Sequence, residues 1–270
     1  LYAFFLHMDI MHILNLPNHE FIFMAKLNNN SHNISIIVPT YNEKETIISF
    51  LEKVTSQISK NNFNAGIIVV DDGSPDGTAE LIKNFSKTHT NITLLNRREK
   101  MGLASACIYG FNHTDSPILG VMDSDFSHAP DALPYLLNPL IYNLCDITVG
   151  SRYIYGGRIL NWPLRRHVIS RTACLLGSLL TTIKDVTSGF FFFKRDVIRN
   201  KILDPVGFKI CLEVLVKGDY QTIIEVPYTF SDRITGKSKM GTKEMFRYLQ
   251  HLYKLYKYKK GKIQVDTHSL

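Results

Sequence analysis

The chain has 270 residues, with 31 Lys and Arg against 24 Asp and Glu, which gives a net charge of +7; 45% of the residues are hydrophobic and 20% are charged. This composition excludes an intrinsically disordered chain and is enough for one large domain or two small ones. A membrane-spanning helix needs roughly 18 consecutive apolar residues. The best stretch, residues 173–180, is interrupted by Thr181, Thr182 and Lys184, so the sequence predicts no membrane span.

Residues 1–25 are apolar but interrupted by polar side chains, and they lack the basic start and the small-residue cleavage site of a signal peptide. We expect residues 1–32 to be an appendage to the folded part, with Met24 a plausible start. The four cysteines, at positions 107, 145, 174 and 211, have apolar neighbours and no paired spacing. This pattern predicts buried, reduced thiols in a cytoplasmic protein.

Five short β-branched runs follow one another in the first half of the chain, at residues 34–38, 67–70, 92–95, 118–122 and 147–149. Helical spacing separates them: Ile47, Leu51, Val54 and Ile58 lie between the first two runs. Strands that alternate with helices predict an α/β fold, a Rossmann-like and mostly parallel sheet flanked by helices on both faces. We expect residues 33–240 to form one domain of this kind.

Acidic residues follow the predicted strands. Asp71 and Asp72 come after the second run, and Asp123 and Asp125 after the fourth. Ligands of open α/β sheets bind beyond the carboxyl ends of the strands, where these side chains would converge and repel unless a cation lay among them. An Asp-x-Asp pair suits Mg²⁺ or Mn²⁺ bridging phosphate oxygens. Turn capping is the alternative, and it is stronger for the first pair because Asp-Gly is an ordinary turn sequence.

Basic residues are concentrated in the predicted loops, where Gly156, Gly157 and Gly236 add flexibility. This composition is typical of a mobile lid that closes on an anion, although each residue alone could be a solvated surface charge. Neither a phosphate-binding loop nor a Gly-x-Gly-x-x-Gly motif is present. For His128 we favour a supporting role over metal ligation. The loop cations are Arg152, Arg158, Arg165, Arg166, Arg171, Arg233, Lys237 and Lys239.

The last segment, residues 241–270, predicts a basic amphipathic helix. Nine Lys or Arg and a single acid, Glu244, occupy residues 237–262, while Met245, Leu249, Leu252 and Tyr256 recur at helical spacing. Such a helix suits the headgroup region of an anionic membrane. Packing of the apolar side against the core explains the pattern equally well. Binding of nucleic acid is disfavoured, because no nucleic-acid module accompanies the charge.

Taken in order, eight motifs give the sequence a resemblance to the dolichol-phosphate mannosyltransferase family of the family-2 glycosyltransferases. The match runs from about residue 34 to residue 258, and its later motifs narrow it to enzymes that glycosylate a polyprenyl phosphate. The resemblance implies the GT-A nucleotide-sugar-binding fold. The motifs are SIIVPTYNE (35–43), VVDDGSPDGT (69–78), MDSDFSH (122–128), GSRY (150–153), NWPLRRHVIS (161–170), DVTSG (185–189), GFKICLE (207–213) and FSDRITGKSK (230–239).

The resemblance also implies roles for individual residues. Those expected to hold the base and ribose of the donor are Pro39, Tyr41, Glu43, Val70 and Asp72, and those expected along the ribose and diphosphate are Asp123, Ser124, Asp125 and Arg152. Asp125 would be the first ligand of Mg²⁺ or Mn²⁺. Ser127 would lie at the metal corner where relatives often have Gln, so a water could replace a side chain there. Arg166, Ser170, Arg233 and Lys239 are expected at the acceptor phosphate, and Asp125, Arg152, Arg166 and Arg233 are the predicted catalytic set.

The implied reaction is an inverting transfer of mannose from GDP-mannose to dolichyl or polyprenyl phosphate, giving a β-linked glycolipid and GDP. The chain would then be peripheral on the cytoplasmic face of a membrane, reached through its basic helix or a membrane-anchoring partner protein. Two alternatives stay open at this point. One is a polyprenyl-phosphate glucosyl- or N-acetylhexosaminyltransferase that uses a UDP-sugar, since the motifs do not specify base or sugar. The other is a catalytically silent nucleotide-sugar-binding module.

Overall fold

A computed structural model of the protein describes residues 33–232 and 242–267, with side chains for residues 33–232 and 244–261. Three predicted features therefore lie outside the described residues. They are the N-terminal appendage at residues 1–32, the acceptor-site residues Arg233 and Lys239, and the loop cation Lys237.

The described part is built on a seven-stranded sheet with the strand order β3-β2-β1-β4-β7-β5-β8, and β6 pairs with β9 in a separate parallel ribbon. Strand β7 is antiparallel to both of its neighbours, whereas all other neighbouring strands of the sheet are parallel. The strands are β1 Ile34–Thr40, β2 Ala65–Asp71, β3 Ile92–Asn96, β4 Ile118–Val121, β5 Ile147–Ser151, β6 Arg158–Ile159, β7 Phe191–Lys194, β8 Ile223–Pro227 and β9 Thr229–Phe230.

Helices cover both faces of the sheet, and two apolar clusters, one on each face, form the core. The α-helices are α1 Ile47–Lys60, α2 Thr78–Ser86, α3 Leu103–Phe111, α4 Leu133–Ile141, α5 Leu164–Gly177, α6 Ile210–Lys217 and α7 Thr242–Thr267; 3₁₀ turns span Pro130–Ala132 and Arg195–Ile198. Among the described residues, none of these helices combines the length and apolar character needed to span a bilayer. All four cysteines are buried free thiols.

The five predicted strands and the mostly parallel sheet are confirmed. Strand β7, which contains three of the four consecutive phenylalanines Phe190–Phe193, was not predicted from the sequence. All four rings are fully buried, as a central strand covered on both faces requires. A Cβ at Gly120 would lie within 2 Å of the Phe192 ring, so the glycine in β4 makes room for the neighbouring strand.

The topology brings the ends of the strands to one edge. Strands β1, β2 and β4 are parallel, and β5 has the same direction as β4 because β7 lies antiparallel between them. The segments that follow Thr40, Asp71, Val121 and Ser151 therefore leave the sheet together. In an open α/β sheet this edge is where ligands bind.

Candidate active site

A cleft of about 1010 Å³ opens at the carboxyl edge of the sheet. It is lined by the segments after β1, β4 and β5, by α5, by residues 187–189 and 203–210, and by the first turns of α7. Of the residues that the sequence predicted for the site, eleven line this cleft. They are Pro39, Tyr41, Glu43, Asp72, Asp123, Ser124, Asp125, Ser127, Arg152, Arg166 and Ser170.

The loop after β1 is held in place by the loop after β2. The backbone N–H of Asn42 donates to the Ser74 hydroxyl at 2.9 Å, and the N–H of Glu43 donates to the Thr78 hydroxyl at 3.1 Å. Asn42 has a positive φ of 58°, which Asn tolerates better than most residues. These bonds fix the backbone beside Tyr41 and Glu43, two of the predicted donor-binding residues.

The two acids after β2 have different roles. Asp71 is fully buried and accepts hydrogen bonds from the N–H and hydroxyl of Ser74, at 2.8 and 2.6 Å, so it caps a turn and does not line the cleft. Asp72 lines the cleft, but its carboxylate pairs with Arg97 and accepts the N–H groups of Met101 and Gly102 at 2.9 and 2.7 Å. The expected convergence of four carboxylates is therefore wrong for Asp71.

Val70 does not lie where the prediction required a donor contact. Its side chain is fully buried in the apolar cluster under α3, with a γ-carbon 3.3 Å from the position that a Cβ on Gly110 would occupy. Alternate side chains of a strand point to opposite faces, so Val70 faces the core.

Asp123 is held at the rim by a histidine. His128 is buried, stacks on Phe190 with ring centroids 5.1 Å apart, and accepts the backbone N–H of Asp123 at Nδ1, 3.0 Å away. Its Nε2 lies 3.8 Å from the Asp123 carboxylate. A Cβ at Gly189 would come within 3.0 Å of the same carboxylate, so that glycine permits the close approach. The structure thus gives His128 the supporting position that the sequence favoured.

Asp125 lies on a constrained turn. Its carboxylate accepts the N–H of Ser127 at 3.1 Å, and the residue between them, Phe126, has a φ of +59°. A bulky side chain rarely adopts this conformation, and such strain persists only where the surroundings enforce it. The Phe126 ring packs edge-on against Phe50, with centroids 5.7 Å apart, which anchors the turn.

The residues present suit a divalent ion that shares its coordination with a ligand. Among the described residues, no group of three or more His, Cys, Asp or Glu side chains is arranged as a complete metal site. Asp123 and Asp125 both line the cleft. Mg²⁺ and similar ions are commonly held by one or two carboxylates together with substrate phosphates and water. This acidic pair fits that donor set.

Arg152, which also lines the cleft, is largely neutralised by a buried partner. Its backbone N–H and Nε donate to one Asp185 oxygen at 2.9 and 2.7 Å, and one terminal nitrogen donates to the other oxygen at 2.7 Å and to the Thr187 hydroxyl at 2.9 Å. Burial alone would raise the pKa of Asp185, but the Arg152 charge and hydrogen bonds hold it below its ordinary value. The guanidinium is thereby fixed in orientation at the cleft wall.

Arg166 and Ser170, the two described acceptor-site residues, come from consecutive turns of α5. Arg166 donates to Asp232 at 2.5 Å and lies over the Trp162 ring, 4.1 Å from its centroid. Its Nε and the Trp162 Nε1 are buried and have no hydrogen-bond partner among the described residues. Ser170 accepts the Tyr153 hydroxyl at 2.7 Å. The structure brings both residues to the cleft beside Arg152.

The cleft residues that the sequence did not single out include Lys100, Trp162, Lys209, Glu244 and Arg247. The Lys100 ammonium lies 3.6 Å above the Tyr41 ring. The only sequence signal was that Trp162 and Lys209 fall inside the most specific motifs, since the chemistry of a single Lys or Trp is too common to mark a site.

The comparisons with known proteins agree with this geometry. The family model described as glycosyl transferase family 2 matches residues 35–201. Dolichol-phosphate mannosyltransferase of Pyrococcus furiosus is 39% identical over 83% of the chain and 64% of the relative, so the chain spans less than two thirds of that protein. Enzymes of the same name from Mycosarcoma maydis and Saccharomyces cerevisiae are each 35% identical, over 86% and 84% of the chain and 81% and 88% of the relative.

Solved structures support the fold. A mannosyltransferase from Pyrobaculum calidifontis in complex with GDP-mannose and Mn²⁺ aligns with a TM-score of 0.56 and 20% identity, over 85% of this chain and 64% of that one. Glucosyl-3-phosphoglycerate synthase from Mycobacterium tuberculosis, with Mn²⁺ and UDP-glucose, aligns with a TM-score of 0.59 and 18% identity, over 84% and 79% of the two chains. These likenesses confirm the GT-A fold. The family model and the sequence relatives show that the chain belongs to glycosyl transferase family 2, and within it to the dolichol-phosphate mannosyltransferase family.

Proposed function

We propose that the protein transfers mannose from GDP-mannose to the phosphate of a dolichyl or other polyprenyl lipid. The observation that carries the proposal is a single cleft lined by both carboxylates and guanidinium groups, in a member of this family. Asp123 and Asp125 supply the carboxylates, and Arg152 and Arg166 supply the guanidinium groups. This arrangement suits a ligand that carries both a metal-bound diphosphate and a second phosphate.

The charges favour direct displacement. A phosphate oxygen of the acceptor is already anionic at neutral pH, so it can attack C1 of the sugar without a strong general base. The new C1–O bond forms on the face opposite the departing diphosphate, which inverts the anomeric centre and gives a β-linked product. Arg166 and Arg152 would orient the two phosphates, and catalysis rests on positioning and on neutralising the leaving group.

A divalent ion held by Asp125, with Asp123 beside it, would supply Lewis-acid neutralisation of the leaving diphosphate. The chain's own contribution is to hold both carboxylates rigidly. His128 fixes the backbone of Asp123, and Phe126 fixes the turn of Asp125. Ser127 stands at the position where relatives often have Gln. It would contribute to the metal site through a bound water.

The acceptor's lipid chain requires the cleft to open towards a membrane. Helix α5, which carries Arg166 and Ser170, exposes Leu164, Val168 and Leu175 at helical spacing, and Leu164 is 79% exposed. On α7, an exposed apolar face consists of Phe246, Leu249, Tyr253 and Tyr256. Apolar stripes flanked by basic residues are typical of helices at the headgroup boundary. We therefore propose that the protein binds a membrane surface peripherally. That this surface is the cytoplasmic face of the membrane stays a prediction.

The function is tested by incubating the purified protein with labelled GDP-mannose or UDP-glucose, a polyprenyl phosphate in detergent, and Mg²⁺ or Mn²⁺. We expect label from GDP-mannose in the organic phase, and none after addition of EDTA. Asp125→Asn should lower transfer at least about 1000-fold, because it removes a charge that the metal-bound diphosphate requires. Asp196→Asn, which alters only an exposed ion pair with Arg199 outside the cleft, is the carboxylate control and should keep most of the activity.

Two other results would change the assignment. Label from UDP-glucose alone would move the protein to the polyprenyl-phosphate glycosyltransferases that use UDP-sugars. No label from either donor, with intact folding, would contradict transferase activity on these substrates and favour a silent nucleotide-sugar-binding module.

A further inference from the structure

One border of the cleft is a segment without regular structure that leads into α6. Residues 203–209 line the cleft, and residues 206–208 form a bend. We call residues 202–209 the border segment. The hydrogen bonds that hold it to the rest of the described chain lie at its two ends, at Ile202 and Asp204 and at Lys209. The bend between these ends therefore depends on them for its position.

The first end of the border segment is held by two helices. The N–H of Asp204 donates to the Glu213 carboxylate at 2.8 Å, and the Lys217 ammonium donates to the Ile202 carbonyl at 3.0 Å. Glu213 and Lys217 belong to α6, which directly follows the segment in the chain. The Lys254 ammonium, on α7, donates to the Asp204 carbonyl at 2.8 Å and pairs with the Asp204 carboxylate. Lys254 thus ties this end to a residue 50 positions further along the chain.

The helix that carries Lys254 is itself fixed to α5. The Tyr248 hydroxyl of α7 is buried and donates to the Ala173 carbonyl of α5 at 2.7 Å. Helix α5 also carries Arg166 and Ser170, which line the cleft. Through α7, Lys254 therefore joins the border segment to the part of the cleft that we propose for the acceptor phosphate.

The contact between Lys254 and Asp204 is exposed to solvent. The Lys254 side chain is 38% exposed and the Asp204 side chain 68%. Exposed ion pairs of this kind contribute little to the stability of a whole domain. Local openings of a loop, in contrast, have their own small free energies, so one contact can change how often the loop is in place. Loss of this contact should therefore affect the border segment far more than the fold.

We propose that Lys254 is a positioning residue that holds the border segment in the conformation that binds substrate. The proposal rests on the proposed function and extends it to a residue that lies outside the cleft and after the last of the sequence motifs. When a site is in its competent conformation for only part of the time, its apparent affinity falls by that fraction. Saturating substrate restores the competent conformation, so KM rises and kcat is kept.

The first experiment is steady-state transfer from GDP-mannose to a short-chain, water-soluble polyprenyl phosphate with Mn²⁺. Lys254→Met should raise KM for the donor or the acceptor about 3- to 10-fold, the contribution of one net hydrogen bond, with kcat within about twofold of wild type. Lys254→Arg should keep the wild-type KM, because a guanidinium donates to the same carbonyl and carboxylate. Lys257→Met removes the same charge from the exposed side of α7 and is the matched control, expected to behave as wild type.

The second experiment is hydrogen exchange, which needs no turnover. The amides of Asp204 and of residues 206–209 should exchange several-fold faster in Lys254→Met than in wild type or Lys257→Met, while the urea midpoint stays close to wild type. Unchanged exchange in the border segment would overturn the proposal, and so would wild-type KM values for both substrates. A fall in kcat at unchanged KM would also overturn it, because that result marks a loss of folded enzyme.

The two experiments separate this proposal from the proposed function. If the folded wild-type protein transfers no mannose, the proposed function fails. Faster exchange of the border segment in Lys254→Met would then still support its attachment by Lys254, and unchanged exchange would contradict it.

Discussion

At the scale of single residues, the site depends on carboxylates whose neighbours decide their roles. Asp71 and Asp72 are adjacent in sequence, but one caps a turn at Ser74 and the other anchors the segment that borders the cleft at residues 100–103. Successive side chains along a strand point in opposite directions, so the two carboxylates meet different hydrogen-bond donors. These donors decide the role of each carboxylate. Asp72 makes a buried ion pair with Arg97 in addition to its hydrogen bonds, so its replacement should affect stability.

Asp72→Asn should lower the free energy of unfolding by about 3–5 kcal/mol, because it leaves the buried Arg97 guanidinium without its counter-charge. The new amide N–H₂ would also face the N–H of Met101 or Gly102, which are both donors. Urea denaturation measures the change. Asp196→Asn breaks the exposed ion pair with Arg199 and should cost less than about 1 kcal/mol; equal losses in the two variants would contradict the anchoring role.

At the scale of elements, a buried polar cluster joins α6 to α7. The Glu213 carboxylate on α6 bonds the His251 ring on α7 at 2.5 Å, the Lys217 ammonium at 2.6 Å and the N–H of Asp204 at 2.8 Å. Asp204 is also paired with Lys254 of α7. Since residues 203–210 line the cleft, the C-terminal helix helps to hold one wall of the site.

The cluster predicts a pH dependence of stability. Burial alone would raise the pKa of Glu213, but hydrogen bonds from His251 and Lys217 lower it to about 2, from an ordinary value of 4.5. A lowered folded-state pKa stabilises the protein above pH 4.5, and this stabilisation is lost as the pH falls towards 2. Glu213→Gln should therefore cost on the order of 3 kcal/mol at pH 6 and roughly 2 kcal/mol less than that at pH 3.

Denaturation of the wild-type protein and Glu213→Gln at several pH values measures this difference. Glu80→Gln, on the exposed side of α2, is the control for the loss of a carboxylate. Stability curves for wild type and Glu213→Gln that run parallel between pH 6 and pH 3 would contradict the prediction.

At the scale of the whole molecule, α7 faces the core and the exterior at once. Tyr248, His251 and Leu255 are buried, and the Tyr248 hydroxyl donates to the Ala173 carbonyl of α5 at 2.7 Å. The face expected from sequence, Met245, Leu249, Leu252 and Tyr256, lies beside the buried face and is half-buried to exposed. Deleting residues 246–270 would thus remove core side chains, so substitutions are the better test of membrane docking.

Replacing Phe246, Leu249, Tyr253 and Tyr256 together by Ser should lower binding to anionic vesicles at least about tenfold, because the helix loses the apolar area that enters the headgroup region. Sedimentation with phosphatidylserine-containing liposomes measures this binding. Lys257→Gln with Lys260→Gln should weaken it chiefly at low salt. Glu52→Ser with Lys53→Ser, on the exposed side of α1, is the control; a folded quadruple variant that binds like wild type would sink the docking hypothesis.

The sequence alone predicted most of the central sheet and the family. Apolar periodicity marked the strands and helices of the first half, and the order of the motifs marked the family, because both are local patterns along the chain. Eleven of the predicted site residues line one cleft for the same reason, since parallel strands deliver their carboxyl ends to one edge.

The tertiary structure decided what depends on partners distant in sequence. In the folded chain, Asp71 and Val70 are buried away from the cleft. Arg152 pairs with Asp185, which lies 33 residues further along the chain, and β7 lies between β4 and β5. Folding also brought Lys209 to the cleft wall beside that pair and gave α7 two faces. Burial and electrostatic neutralisation depend on residues that become neighbours only in the folded chain, so no local pattern in the sequence predicts them.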